Sequence, residues 1–235
     1  MPPDDSIDPR VVAAGDSAWL IELPERIDAE VNARAIELAA RVEAARIPGL
    51  TDIVVGYRTV MIYADPLADD AGRVPRMLEE VARARPAGGG IAGHLVELPV
   101  CYDGAFGPDL PDVAAFARCG VEEVIARHLA REYRVFMVGF VPGFAYMAAV
   151  DPSIAAPRRA TPRLRVPAGA VATAAGQTGV YPSETPGGWH IIGRTPVKPY
   201  DPARAEPFLL RPGDRVRFRR ISEGEFHRTS AWSAA

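Results

Sequence analysis

Residues 85–93 read Arg85-Pro86-Ala87-Gly88-Gly89-Gly90-Ile91-Ala92-Gly93. Three consecutive glycines beside a proline hold neither a helix nor a strand, so the chain of 235 residues divides here. The division decides the fold, because the patterns on its two sides differ.

Upstream, short apolar runs at 11–15 and 19–23 flank Asp16-Ser17. Asp28 has the character of a helix N-cap. Val31, Ala35, Leu38 and Val42 then recur at helical spacing, ending near Ile47-Pro48-Gly49. Runs at 52–55 and 59–63 around Gly56-Tyr57-Arg58 form a hairpin pattern. Val74, Met77, Leu78 and Val81 share one face of a second helix. The expectation is a small α+β sandwich, two helices over an antiparallel sheet, with no catalytic constellation.

Downstream, a partly alternating run at 94–101 ends in Tyr102-Asp103-Gly104. Two short helices follow, one from Pro108-Asp109 to Cys119-Gly120 and one over 121–130. Beyond Arg134 helical periodicity stops. Apolar strands are expected at 135–140, 166–174, 189–194 and 215–218, with a frayed polar tail after Phe226. Short strands punctuated by Pro and Gly point to a closed barrel or a sandwich. The expected division is thus an N-terminal α+β domain over 1–87, a linker over 88–93 and a β-barrel domain over 94–226, in the α+β class.

Composition excludes several functions. With 26 arginines, Lys198 is the single lysine, so a Schiff-base or P-loop mechanism has no other residue to use. A net charge of -3 argues against nucleic acid. No apolar run reaches membrane-spanning length and no secretory leader is visible, so a cytoplasmic, reduced protein is the default. Cys101 and Cys119 are too few for a disulfide framework. His94, His128, His190 and His227 show no ligand pairing, so no metal site is expected. Charge is uneven. Residues 1–150 carry 14 Arg against 23 Asp/Glu, net -9, and residues 151–235 carry 13 Arg/Lys against 7 Asp/Glu, net +6. Either an anionic ligand or internal neutralisation accounts for the split.

Four segments read as more than scaffold. Gly139-Phe140-Val141-Pro142-Gly143-Phe144-Ala145-Tyr146 presents aromatic rings on a tight backbone, as a binding wall or as an aromatic corner packed in the core. Residues 157–169, PRRATPRLRVPAG, place Arg158, Arg159, Arg163 and Arg165 within eight residues. Guanidinium forks there fit carboxylate or phosphate, and a solvated edge strand is the alternative. Residues 176–182, GQTGVYP, and 186–196, PGGWHIIGRTP, combine close-approach glycines with Gln, Thr, Tyr and Trp.

Taken in order with residues 132–146, EYRVFMVGFVPGFAY, these strings closely resemble the allophanate hydrolase subunit 1 family, also called KipI or PxpB. The resemblance covers nearly the whole chain. It implies a C-terminal cyclophilin-like barrel and a partner of the subunit 2 (KipA, PxpC) family. It also implies ATP-dependent hydrolysis of 5-oxoproline to glutamate together with a PxpA homologue, with ATP used by the complex. Alternatives within the family are a biotin-dependent carboxyltransferase component, as in urea carboxylase, and a non-enzymatic histidine kinase inhibitor. By position, the implied substrate-binding residues are Pro142, Gly143, Phe144, Tyr146, Thr161, Gln177, Thr178, Tyr181, Gly187, Gly188, Trp189 and Arg194. Arg158 and Arg163 would offset developing negative charge, and His128 is the histidine available as a base. The family usually has Ser where this chain has Ala170. With the arginine run inside this pocket, the charge split is expected to mark an anionic ligand rather than self-neutralisation.

Overall fold

A computed structural model describes residues 9–25, 28–67, 72–84 and 93–229. The chain divides into two compact units, residues 1–92 and 93–235. Most of the glycine-rich stretch from which the linker was read, residues 85–92, lies outside the described residues.

In the first unit β1 (Arg10–Ala13), β2 (Ala18–Glu22), β3 (Leu50–Val55) and β4 (Thr59–Ala64) form an antiparallel sheet in the order β1-β2-β4-β3. Helix α1 (Ala29–Ala44) packs over β3 and β4, and α2 (Arg73–Arg83) over β1. The Asp28 carboxylate starts α1 by accepting the Val31 N–H at 2.8 Å. Val31, Ala35, Leu38 and Val42 turn inward onto Ile21, Val60 and Ile62, all buried. Asn32, also buried, donates to the Gly56 and Tyr57 carbonyls at 3.3 Å each and so pins the helix to the hairpin turn.

In the second unit seven strands close a barrel: β5 (Leu95–Cys101), β6 (Glu132–Val138), β7 (Ala145–Ala148), β9 (Ala170–Ala174), β10 (Gln177–Val180), β12 (His190–Arg194) and β13 (Arg215–Ile221). Their order is β10-β7-β6-β13-β5-β12-β9, and only β13–β5 is parallel. Strands β8 (Arg163–Val166) and β11 (Thr185–Gly187) pair separately as a two-stranded ribbon. Helices α3 (Leu110–Ala117), α4 (Val121–Leu129) and α5 (Glu223–Thr229) complete the unit. Among the described residues no helix is long and apolar enough to cross a membrane.

The α+β class and the barrel hold, with three corrections. The run at 166–174 is two strands, because Gly169 at φ +81° turns the backbone between them. Strands β7, β10 and β11 stand where loops were expected. Residues after Phe226 continue α5 to Thr229, and 230–235 lie outside the described residues.

Candidate functional site

The arginine run is organised by Asp109, at the start of α3. Its side chain is only 3% exposed. Arg163 forks onto it, Nη1 donating to Oδ2 at 2.7 Å and Nη2 to Oδ1 at 2.6 Å. Arg159 donates to Oδ1 at 2.8 Å and the Ile191 N–H to Oδ2 at 2.7 Å. Burial alone would push this carboxyl up; the hydrogen bonds and both positive charges outweigh it and hold the carboxyl below its ordinary range. The fork of Arg163, expected to offset developing negative charge, is filled here by an internal carboxylate. Nothing in the local sequence marked Asp109 beyond a helix start, since its partners lie some 50 residues or more away.

Asp109, Asp112 and His190 bring ligand atoms within 4.8 Å of one another. They do not fit a metal ion. Arg159 bridges the two carboxylates at 2.8 and 3.6 Å, and its guanidinium occupies the place a cation would take.

His128 is fully buried. Thr178 Oγ1 donates to the Ala172 carbonyl at 3.1 Å, so it accepts from His128 Nε2, also at 3.1 Å. His128 Nδ1 is then the acceptor for the Tyr102 hydroxyl at 2.9 Å. Tyr133 donates to the His128 carbonyl at 2.8 Å, and Phe218 stacks on the ring. Burial pushes the imidazole down to about 3. His128, the histidine expected as a base, is thus a buried, neutral residue with both ring nitrogens bonded, and the hydroxyl of Thr178, expected at the substrate, is bonded to His128 and Ala172.

The aromatic residues gather at one place. Phe144 is edge-on to Tyr146, Tyr181 and Trp189, with centroids 4.8, 5.1 and 5.5 Å away. Phe144, Tyr181 and Trp189 are buried and Tyr146 half-buried, so the packed corner describes them. Gly187 is required there, because a Cβ would lie 2.4 Å from the Tyr181 hydroxyl oxygen. The phenol of Tyr181 is pushed up to about 12, chiefly by burial. Gly143, at φ +84°, turns the loop below Tyr200; Pro142 and Thr161 are exposed, and Gln177 pairs across to β7 and β9. Gly188 holds the arginine segment by accepting the Arg159 N–H at 2.9 Å. Arg158 is exposed, close enough to Tyr146 and Tyr181 to act on both phenols.

Arg194 differs from the other arginines. It is half-buried on β12, Nε donates to the Ala168 carbonyl at 2.8 Å, and the guanidinium lies 5.7 Å from the Phe226 ring centre. It borders a groove of about 390 Å³ whose floor includes Ala170 and whose walls include Phe106, Ile191 and Phe226. Phe106 and α5 were not anticipated as part of any site, since the tail after Phe226 reads only as polar and small.

The chain matches, over residues 9–210, the family described as carboxyltransferase domain, subdomain C and D. It is 40% identical over 227 residues to the B-type subunit of 5-oxoprolinase from Bacillus subtilis, covering 91% of this chain and 93% of that one. To the B-type subunit of 5-oxoprolinase from Escherichia coli O157:H7 it is 42% identical, covering 92% and 97%. Among solved structures it resembles TTHA0988, with TM-score 0.77 and 42% identity over 87% of this chain, and it spans 40% of that protein's length. The Kluyveromyces lactis urea amidolyase superposes on 97% of this chain with TM-score 0.78, covering 16% of that enzyme; at 20% identity the likeness is one of fold.

Proposed function

Given that this chain belongs to the carboxyltransferase subdomain C and D family, together with the B-type subunits of 5-oxoprolinase, we propose that it is the corresponding component of a multi-subunit, ATP-dependent 5-oxoprolinase. One observation carries the reading: the likeness covers 91% and 92% of this chain and 93% and 97% of two relatives named as that component. The complex would hydrolyse the lactam C–N bond of 5-oxoproline to give glutamate, with A-type and C-type proteins as partners. Behind the carboxyl-transfer alternative stand the family's description and a likeness of fold at 20% identity.

This chain's part is to bind and orient rather than to move protons, since His128 is sealed in the core and Arg163 is committed to Asp109. The Arg194 groove offers little to a nucleoside triphosphate. Around the groove a single guanidinium, that of Arg194, is left without a carboxylate against the several charges of the polyphosphate. On this reading ATP binds on another component of the complex.

The test is reconstitution. The purified chain, mixed with its A-type and C-type partners, ATP and 5-oxoproline, is expected to release glutamate, and omitting this chain is expected to stop it. No glutamate from any combination would overturn the proposal.

A further inference from the structure

We propose that the groove between the turn at Gly104–Phe106, strand β12 and helix α5 binds a small monocarboxylate with a compact apolar body, its carboxylate held by Arg194.

The charges around the groove select the head group. Arg163 reaches it, but its fork is satisfied by Asp109. Arg165 leans toward Glu184 at 3.4 Å, and Glu223 sits 3.6 Å from His227. Arg194 faces the same space and takes part in no ion pair among the described residues, and burial lowers its affinity for its own proton. A half-desolvated cation without a counter-ion is what an incoming anion relieves. With Nε committed to the Ala168 carbonyl, the Nη edge remains for a carboxylate. Glu223, which also lines the groove, repels each negative charge a ligand brings, so a singly charged carboxylate is favoured over doubly charged phosphate.

The walls select the body. Phe106 and Phe226 pack at 4.7 Å between ring centres, and Pro108, Pro167 and Ile191 continue the apolar lining. A volume of about 390 Å³ admits one small molecule rather than a peptide or a nucleotide. Ala170 keeps the floor beside Arg194 free of a hydroxyl.

The ligand class rests on the groove; equating the ligand with 5-oxoproline rests on the oxoprolinase reading. Binding by the single chain and turnover by the complex are separate measurements, so either can fail alone.

Titration calorimetry of the full chain with cyclopentanecarboxylate, cyclopentanecarboxamide and inorganic phosphate tests the proposal. The carboxylate is expected to bind about tenfold or more tighter than the amide, the difference one charge-assisted pair makes. R194Q should lose about the same factor, and F106A about fivefold through the lost wall. Equal binding of acid and amide, tighter binding of phosphate, or no detectable carboxylate binding would overturn it. The acid–amide comparison uses the unaltered protein, so it decides even where R194Q does not fold.

Discussion

At the scale of single residues, the buried polar groups carry the pH dependence. His128 binds its proton far less readily in the core than its ordinary value of 6.5 allows, so the unfolded chain takes up the proton first. Stability is therefore full above about pH 6.5 and falls as pH drops, by about 1.4 kcal/mol per unit while the core imidazole stays neutral. Urea midpoints at pH 7 and pH 5 are expected to show this fall in the native protein and to lose it in H128Q. An equal slope in both would mean that His128 is not the group responsible. Asp109 behaves oppositely in cause and alike in sign. Its folded carboxyl lies below its unfolded one, so its contribution is present above about pH 4 and lost as pH falls further. D109A leaves two guanidiniums facing a buried void. It is expected to cost about 3 kcal/mol at pH 7, read from chemical denaturation. A cost under about 1 kcal/mol would show that Arg159 and Arg163 find water instead.

At the scale of elements, the β9–β10 hairpin shows why some strands were legible and others were not. Gln177 pairs with Ala174, so Ala175 and Gly176 are a two-residue turn, at φ +49° and +83°. That turn favours Asn at its first position, and Ala175 is exposed, so A175N is expected to raise stability by about 0.5 kcal/mol. G176A meets no atom within 4 Å and is expected to cost about 1 kcal/mol from backbone conformation alone. G143A adds a Cβ 2.6 Å from the Tyr200 Cβ and should cost more, so thermal melts should order the three variants in that sequence. Residues 177–180, Gln-Thr-Gly-Val, carry neither alternation nor an apolar run, because the strand is paired on both sides and its small residues make room for Phe144. The first unit was legible almost element by element, since α1, α2 and the hairpin each declare themselves over a few residues. Asp109 with Arg159 and Arg163, and Arg194 with α5, join segments far apart in sequence, and no local spacing records that.

At the scale of the whole chain, the charge split at residue 150 runs through the middle of the second unit. Cations of β13 meet acids of earlier elements: Arg215 and Arg217 on Glu132, Arg219 on Glu97, Arg220 on Glu122 and Asp103. These pairs offset about half of the positive excess of residues 151–235, since residues 93–150 carry 4 Arg against 7 Asp/Glu, and they narrow the idea of an anionic ligand to Arg194. These pairs lie within residues 93–229, as do every residue lining the Arg194 groove and the core that holds Tyr102, Tyr133 and His128. A unit that contains its own core and its own ion-pair partners has what an independently folding domain requires. Residues 93–235 produced alone are therefore expected to unfold in one cooperative urea transition and to bind cyclopentanecarboxylate within about twofold of the full chain's affinity. A chain that collapses without cooperativity would show that the barrel depends on the first unit. Cooperative folding without binding would place part of the ligand site outside the groove.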